Sequence, residues 1–167
     1  TDTKFMWQGT SIVSSKNVFI GYKTGLNYRV SDPQGTTPST FIGKSAGENT
    51  NLGVENVFVG YETGKNITIG GRNTLIGTKA GGNIAGDSHS NTIIGYEATK
   101  TDVSSYRTTH IGSQAGANSL SSSLGSGGDS GSTPPETQED AGPGGNDSIF
   151  IGFRAGYNTT QSSNTLI

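Results

Sequence analysis

The sequence contains no cysteine, few apolar residues and no long hydrophobic run. Without cysteine there is no disulfide framework and no thiolate metal site. No apolar stretch approaches the roughly 20 residues that span a membrane as a helix, so we expect no membrane insertion. The formal net charge is −2 and 14% of the residues are charged. This balance gives no basic footprint for a nucleic-acid partner.

The shortage of apolar residues excludes an ordinary globular core. Only 29% of the 167 residues are apolar and 27 are glycine, whereas glycine usually makes up roughly 7% of a protein. So little apolar surface would hardly offset the conformational entropy lost in a compact globule. Disordered chains usually also carry a high net charge, which is missing here. The remaining option is a β-solenoid, which buries a few regularly placed apolar residues by stacking them.

A signature of eleven residues recurs along the chain, for example over 73–83. It reads Asn, Thr or Val, a large apolar residue, Ile or Val, Gly, two variable residues, Ala or Thr, Gly, any residue, Asn. The first glycines of the copies are Gly21, Gly43, Gly60, Gly77, Gly95, Gly112 and Gly152. Their intervals of 22, 17, 17, 18, 17 and 40 residues indicate coils of about 17 residues with insertion loops over 26–38 and 117–146. We therefore predict an all-β, parallel β-solenoid of about seven to eight coils.

Two apolar positions before the first glycine predict a short strand in every coil. The residue next to the glycine is β-branched, and the one before it is mostly large and apolar. Neighbouring side chains of a strand point to opposite faces, so both faces should be buried. The simplest cover for the second face is the same strand from sister chains. The predicted structural core comprises Phe19, Ile20, Phe41, Ile42, Phe58, Val59, Leu75, Ile76, Ile93, Ile94, Ile111, Phe150 and Ile151.

Small and amide residues after the first glycine predict the corners of each coil. Glycine at two positions per copy indicates a positive φ or a close backbone approach. The asparagines six residues after the first glycine would turn the chain and hydrogen-bond nearby backbone; they are Asn27, Asn49, Asn66, Asn83, Asn118 and Asn158. Stacked in register they would form an amide ladder. The column four residues before the glycine would form another, with Asn17, Asn56, Asn73, Asn91 and Asn164. A second strand per coil is signalled only weakly, for instance over 67–69.

The repeat also defines the domain organisation. Residues 1–16 precede it and contain the aromatic cluster Phe5, Met6 and Trp7, which would be an N-terminal cap or stem, or else an aromatic ligand platform. Open solenoid ends need covering, which favours the cap. Residues 17–167 form the solenoid domain. The chain stops at Ile167 inside a further copy, so the last coil is incomplete and we expect a fragment of a longer protein.

No constellation for catalysis is present, so we predict that the protein is not an enzyme and has no cofactor. Neither His89 nor His110 is paired with a nucleophile by any motif. The glycine-rich stretches lack the Lys-Ser/Thr ending of a phosphate-binding loop. A site assembled between chains, as in a polysaccharide depolymerase, stays open as the enzymatic alternative.

Three features are candidate binding sites. His110 occupies a column otherwise filled by Phe, Leu or Ile; three copies in a homotrimer would meet near the axis around an ion or water, or the ring is a hydrogen-bonded core residue. The loop over 117–146 has four acids and no base, and would be a recognition loop, a calcium site or a solvated excursion; the acids are Asp129, Glu136, Glu139 and Asp140. A third set would stack on sugars or pack over neighbouring coils: Tyr22, Tyr61, Tyr96 and Phe153.

The run Asn-Val-Phe-Val-Gly-Tyr-Glu-Thr-Gly over 56–64 resembles repeats of phage tail fibres and related bacterial surface proteins. There the pattern often reads Asn-Thr-Ala/Phe-Ile/Leu-Gly-Tyr-Gln-Ala-Gly. It is also similar to the shorter head repeat of trimeric autotransporter adhesins. The resemblance covers about 17–116 and 147–167, and it implies a left-handed, homotrimeric parallel β-roll on a fibrous extracellular protein of a virion or cell surface.

The expected function is therefore a structural and adhesive fibre segment that supports host or cell-surface binding, with itself and a surface glycan or receptor as partners. One alternative is a self-assembling extracellular filament in which the next subunit completes the last coil. Another is an ice-binding solenoid, because a column of threonines recurs in the strands: Thr40, Thr74, Thr92, Thr109 and Thr165. Val18, Val57 and Ile149 interrupt that column.

Overall fold

The computed structural model describes residues 17–29, 38–100, 105–117, 148–157 and 165–167. In these segments the regular elements are short β-strands, and no helix that could cross a membrane is found there. The twelve strands are β1 (Val18–Ile20), β2 (Thr40–Ile42), β3 (Leu52–Val54), β4 (Val57–Val59), β5 (Ile67–Gly71), β6 (Thr74–Ile76), β7 (Gly86–His89), β8 (Thr92–Ile94), β9 (Ser105–Tyr106), β10 (Thr109–Ile111), β11 (Ile149–Ile151) and β12 (Thr165–Leu166).

The strands stack into two parallel sheets. The larger sheet has the order β1-β2-β4-β6-β8-β10-β11-β12, and the smaller has the order β3-β5-β7-β9. All pairings are parallel. Between 40 and 111 the chain passes alternately through the larger and the smaller sheet. The predicted all-β solenoid of stacked parallel coils is confirmed, and the weakly signalled second strand is a real element of the coil.

The strand register follows the columns of the repeat. In β2 and β4, Thr40 pairs with Val57, Phe41 with Phe58 and Ile42 with Val59. The pairing continues across the insertion of the long loop, where His110 of β10 lies beside Phe150 of β11. The strand register is therefore the same before and after this loop.

The core lies between the two sheets and is one side chain wide. The large sheet contributes its middle strand residues, all buried: Phe41, Phe58, Leu75, Ile93, His110 and Phe150. The opposite wall contributes Ile67 and Ile84, also buried. The aromatic rings stack along the rod, with centroids 4.9 Å apart for Phe19 and Phe41 and 4.6 Å apart for His110 and Phe150.

The second apolar column of the repeat faces away from this core. Ile42, Ile76 and Ile151 are exposed in the single chain, and Val59 and Ile94 are half-buried. Side chains alternate across a strand, so a residue beside an inward-pointing Phe must point outward. These residues belong to no core within one chain. Their burial against sister chains stays a prediction.

The two glycine columns are required by the close approach of neighbouring coils. Gly60 has a φ of 139°, and a Cβ on it would lie 2.6 Å from the carbonyl oxygen of Gly77 in the next coil. Gly64 has a φ of 56°, and a Cβ there would lie 2.8 Å from the Phe58 ring. The first column lets coils stack, and the second lets the corner close over the interior ring.

A buried amide ladder runs along one corner of the solenoid. The backbone N–H and the side-chain amide of Asn73 both donate to Oδ1 of Asn56, each at 3.0 Å. Oδ1 of Asn73 accepts in the same way from Asn91, at 3.1 and 2.9 Å. The Asn73 amide also donates to the Ser88 carbonyl at 2.7 Å, and Thr108 continues the ladder against Asn91. This predicted ladder is present.

The second amide ladder is shorter and lies at the surface. Asn27 donates to Asn49 at 3.1 Å, and Asn49 donates to Asn66 at 3.2 Å. Asn66 donates to the carbonyl of Gly82 at 2.8 Å instead of to Asn83, which is exposed. Asn118, Asn158 and Asn164 lie outside the described residues, as do the proposed cap over 1–16 and the acids of the long loop.

Candidate functional site

The outer face of the large sheet is apolar and uncovered in the single chain. We define it by the first and third residues of the strands β1, β2, β4, β6, β8, β10 and β11. Several members are between 36% and 45% exposed: Val18, Ile42, Val57, Ile76, Ile149 and Ile151. Strands spaced about 4.8 Å apart extend this face over about 30 Å. Contiguous apolar surfaces of this kind usually mark an interaction site.

Threonines share the outer face with these aliphatic residues. Thr40, Thr74, Thr92 and Thr109 take the first strand position in the second, fourth, fifth and sixth strands of the stack, and all four are half-buried. In the same column the strand register aligns Thr74 with Val57 and Thr109 with Ile149. The face is consequently built from β-branched side chains of similar shape, which gives it a regular surface.

An aromatic column lies just after the first glycine of alternate coils. Its members follow the first, third, fifth and seventh strands of the large sheet and are between 40% and 72% exposed: Tyr22, Tyr61, Tyr96 and Phe153. The intervening coils place Lys44, Thr78 and Ser113 at this position. The sequence had already singled out the four rings, and the structure places them in line at one edge of the outer face.

Ion pairs line the corner beside the aromatic column. Lys65 lies 3.0 Å from Glu62 and 3.8 Å from Glu48, and Lys100 lies 3.3 Å from Glu97. The hydrogen bond from Lys65 lowers the pKa of the Glu62 carboxyl and raises the pKa of Lys65 itself. Both groups are close to solvent, so such pairs stabilise the fold little. Their main effect is to fix which charges face outward.

The same corner contains a small polar cleft of about 200 Å³. It is lined by Glu62, Lys65, Asn66, Lys79, Gly82, Asn83, Glu97 and Lys100. Its carboxylates are engaged by lysines, so it is not a cation site of the kind that free acids form. Throughout the described segments, no group of three or more histidine, aspartate or glutamate side chains is placed to hold a metal ion.

His110 lies inside the solenoid of its own chain and is only 1% exposed. Its Nδ1 is 2.5 Å from Oγ1 of Thr99 in the preceding coil, while its Nε2 has no hydrogen-bond partner among the described residues. Burial lowers the pKa of the ring to about 4, so it is neutral. The burial of the ring and its contact with Thr99 fit the hydrogen-bonded core interpretation. An ion or water shared by three chains stays a prediction.

Thr99 is the hydrogen-bond partner of His110, and the columns of the repeat, taken one at a time, did not predict this contact. It stands where the other described coils have the second glycine, and it keeps the left-handed φ of 53°. Its own coil has Ile93 in place of a phenylalanine, which leaves more room at this corner. The departures at 93, 99 and 110 fall in two adjacent coils, and reading the columns together would have indicated the contact.

Comparison with known proteins gives no match: no family model, no curated protein and no solved structure matches this chain. The described surfaces comprise an apolar outer face, a row of exposed aromatic rings and a corner of paired charges. None of them brings a nucleophile, base and orienting group together.

Proposed function

We propose that this chain is a structural and adhesive segment of a homotrimeric fibre on a virion or bacterial surface. The single observation that carries the proposal is the uncovered outer face, which repeats through the stack with aliphatic and threonine side chains. A segment whose chains cover this face for one another would form a rod with few exposed apolar groups. The resemblance of its repeats to those of tail fibres and adhesin heads supports the same assembly.

Three-fold association fits the shape of the outer face. The face is formed by one narrow sheet with three residues per strand, so it is long along the rod and short across it. Three such faces can close around an axis parallel to the rod, which is a cyclic arrangement of identical subunits. In this arrangement the Phe column fills each roll and the Ile column fills the centre. We propose a left-handed roll of seven to eight coils for each chain of this fibre, as the spacing of the repeat predicts.

Binding by this fibre would use what the trimer leaves exposed. The turn corner with its lysines and aromatic rings is exposed in the single chain. The acidic loop over 117–146 stays a second candidate from the sequence alone, because its acids lie outside the described residues. The rod would hold these groups in a fixed array and would not itself carry out a reaction.

The test is the mass in solution, measured by light scattering at several concentrations. A stable particle of three times 17.2 kDa supports the proposal. An open-ended distribution that grows with concentration would instead indicate the filament, and a persistent 17.2 kDa species would contradict both.

An ice-binding solenoid is the second candidate, favoured by the position of the threonine column on the outer face. A regular array of hydroxyl and methyl groups on a rigid sheet is the feature that such a function requires. The two candidates exclude each other, because a trimer hides the face that would contact ice. Thermal hysteresis in a dilute solution of monomer would favour ice binding, and its absence would remove that candidate.

A further inference from the structure

The aromatic column differs from the core, glycine and asparagine columns of the repeat, because its residue class alternates. The described core, glycine and asparagine columns keep one residue class through most successive coils. The position after the first glycine instead reads Tyr, Lys, Tyr, Thr, Tyr, Ser, Phe in the successive copies of the repeat. Aromatic rings thus recur every second coil, and polar side chains with hydrogen-bond donors stand between them.

The spacing of the rings is fixed by the backbone. Neighbouring strands lie about 4.8 Å apart, so rings in alternate coils are separated by about 9.6 Å along the rod. The carbonyl groups of Tyr22, Tyr61 and Tyr96 each accept a hydrogen bond of 2.8 Å from the backbone of the next coil. The backbone from which each ring projects is therefore held by the stack, which lowers the entropy cost of ordering this surface when a partner binds.

Both signs of charge lie beside this column: Glu62 and Glu97 accept hydrogen bonds from Tyr61 and Tyr96, and basic side chains surround them in larger number. Lys44 stands between Tyr22 and Tyr61, with its ammonium 5.6 Å from the centre of the Tyr61 ring. No carboxylate of the described residues is within ion-pair distance of Lys44 or Lys79, whereas Glu62 and Glu97 are paired with Lys65 and Lys100. At the far end, the Arg154 guanidinium lies 5.3 Å from the centre of the Phe153 ring.

We propose that the aromatic column binds a linear acidic polysaccharide with a disaccharide repeat. The apolar C–H face of a pyranose stacks on the negative face of an aromatic ring. Two β-linked pyranoses extend about as far as two coils, so every second sugar of an extended chain meets a ring. The alternate sugar meets Lys44, Thr78 or Ser113, where a uronate carboxylate or hydroxyl groups can accept hydrogen bonds. This proposal rests on the fibre function and names its ligand class and site.

The proposal predicts that the affinity depends on the length of the polysaccharide. A disaccharide repeat in register with the coils gains a contact with each added pair of sugars, so affinity should rise steeply with chain length. Isothermal titration calorimetry with a hyaluronan tetrasaccharide and decasaccharide measures this directly. We expect the decasaccharide to bind at least about tenfold more tightly, and to weaken as salt is raised. Equal affinity for both lengths would overturn the proposal.

Substitutions test whether the aromatic column, and not another part of the surface, binds the polysaccharide. Tyr61→Ala and Tyr96→Ala should each weaken decasaccharide binding about fivefold, and Tyr61→Phe should retain it. Leu52→Ala is the control, because Leu52 is 40% exposed on β3 of the smaller sheet and lies outside the column. If Leu52→Ala weakens binding as much as Tyr61→Ala, the column is not the site. Cellohexaose, which carries no charge, tests whether the carboxylates of the ligand contribute to binding. If it binds as tightly as a hyaluronan hexasaccharide, the proposal that the ligand is acidic is wrong.

The mass of each variant in solution shows whether the aromatic column binds a glycan or forms part of the trimer interface. If the column instead packs on a sister chain, Tyr61→Ala and Tyr96→Ala together would dissociate the particle, and the glycan proposal fails while the trimer stands. If the wild-type chain is monomeric yet shows length-dependent binding lost in Tyr61→Ala, the fibre assembly fails and the glycan site stands.

Discussion

The rings of Phe41 and Phe58 stack with their centroids 4.6 Å apart and their planes 6° from parallel. This separation is close to the spacing of about 4.8 Å between neighbouring strands. The interior rings therefore repeat at the same interval as the backbone, and each position of the repeat forms a straight column. A substitution in one coil therefore changes the packing of the two coils that flank it.

Replacing the first glycine of an internal coil should be strongly destabilising. In Gly60→Ala, the new Cβ would meet the carbonyl of Gly77, and the φ of 139° would be strained as well. Gly152→Ala is the matched control, because Gly152 has a similar φ of 127° but a Cβ there would be 3.9 Å from its nearest described neighbour. In both variants the strained φ should lower the free energy of unfolding by about 1–3 kcal/mol. Gly60→Ala should lower it by more than Gly152→Ala does, because only the Cβ at position 60 meets the neighbouring coil.

Chemical denaturation of the two variants measures this difference. Equal losses for Gly60→Ala and Gly152→Ala would show that conformational strain, and not the contact between coils, is what the glycine column avoids.

The buried amide ladder should matter more than the exposed one. Asn73→Ala removes the side-chain bonds to Asn56 and Ser88 and the two bonds that Asn91 donates to Asn73, while the backbone N–H of residue 73 can still donate to Asn56. A lost hydrogen bond costs about 0.5–1.5 kcal/mol, so we expect a loss of several kcal/mol. Asn27→Ala removes one bond at the surface and should cost less than about 1 kcal/mol. Thermal unfolding of the two variants tests this order, and a larger effect for Asn27→Ala would contradict it.

Acid should destabilise the fold through His110. Its pKa is lowered by burial to about 4 in the folded chain, whereas an exposed histidine titrates near 6.5. Between these values the unfolded chain binds a proton that the folded chain does not, so the free energy of unfolding falls as the pH decreases. The slope is about 1.4 kcal/mol per pH unit for each chain, or about 3 kcal/mol in all, and this contribution is constant above pH 6.5.

The double variant Thr99→Gly with His110→Phe restores the repeat pattern and should remove that slope. His110→Phe alone would leave the Thr99 hydroxyl buried without its present partner, so the pair must change together. Urea unfolding of wild type and double variant at pH 7 and pH 5 gives the comparison. Glu62 and other carboxylates titrate in both proteins and cancel. An unchanged difference between the two pH values would show that His110 is not the acid-sensitive group.

The large sheet could be predicted from the sequence because its residues recur in fixed columns. The predicted alignment of Phe41 with Phe58 and of Ile76 with Ile94 is the register that the strands adopt. The amide ladder through Asn56 and Asn73 followed from the same alignment. These predictions succeeded because a parallel stack converts a sequence period directly into spatial neighbours.

The small sheet could not be predicted in the same way. Its strands β3, β5 and β7 have dissimilar sequences, and the pairing of β5 with β7 shifts register between Ile67 and Ile69. Glycines such as Gly53 and Gly70 line its inner side and give no hydrophobic signal. The outward direction of the Ile column was implicit in strand alternation, but what covers it depends on other chains.

One charge on the outer face should prevent association without unfolding the roll. Ile76→Lys places an ammonium where the proposed trimer buries an aliphatic side chain, while leaving the interior Leu75 unchanged. The mass should fall towards 17.2 kDa, with the far-ultraviolet circular dichroism spectrum retained. Thr78→Lys, an exposed turn substitution in the same coil, is the control and should keep the wild-type mass. An Ile76→Lys variant that keeps the wild-type mass would place the interface elsewhere.

The most direct measurement of the proposed arrangement is the distance between spin labels on sister chains. Because the protein has no cysteine, a single Thr92→Cys substitution places one label per chain on the outer face, and Thr78→Cys places one on the turn corner. If three outer faces meet around an axis, double electron–electron resonance should give a short inter-chain distance at 92 and a longer one at 78. No inter-chain coupling at 92, or a shorter distance at 78, would contradict the account.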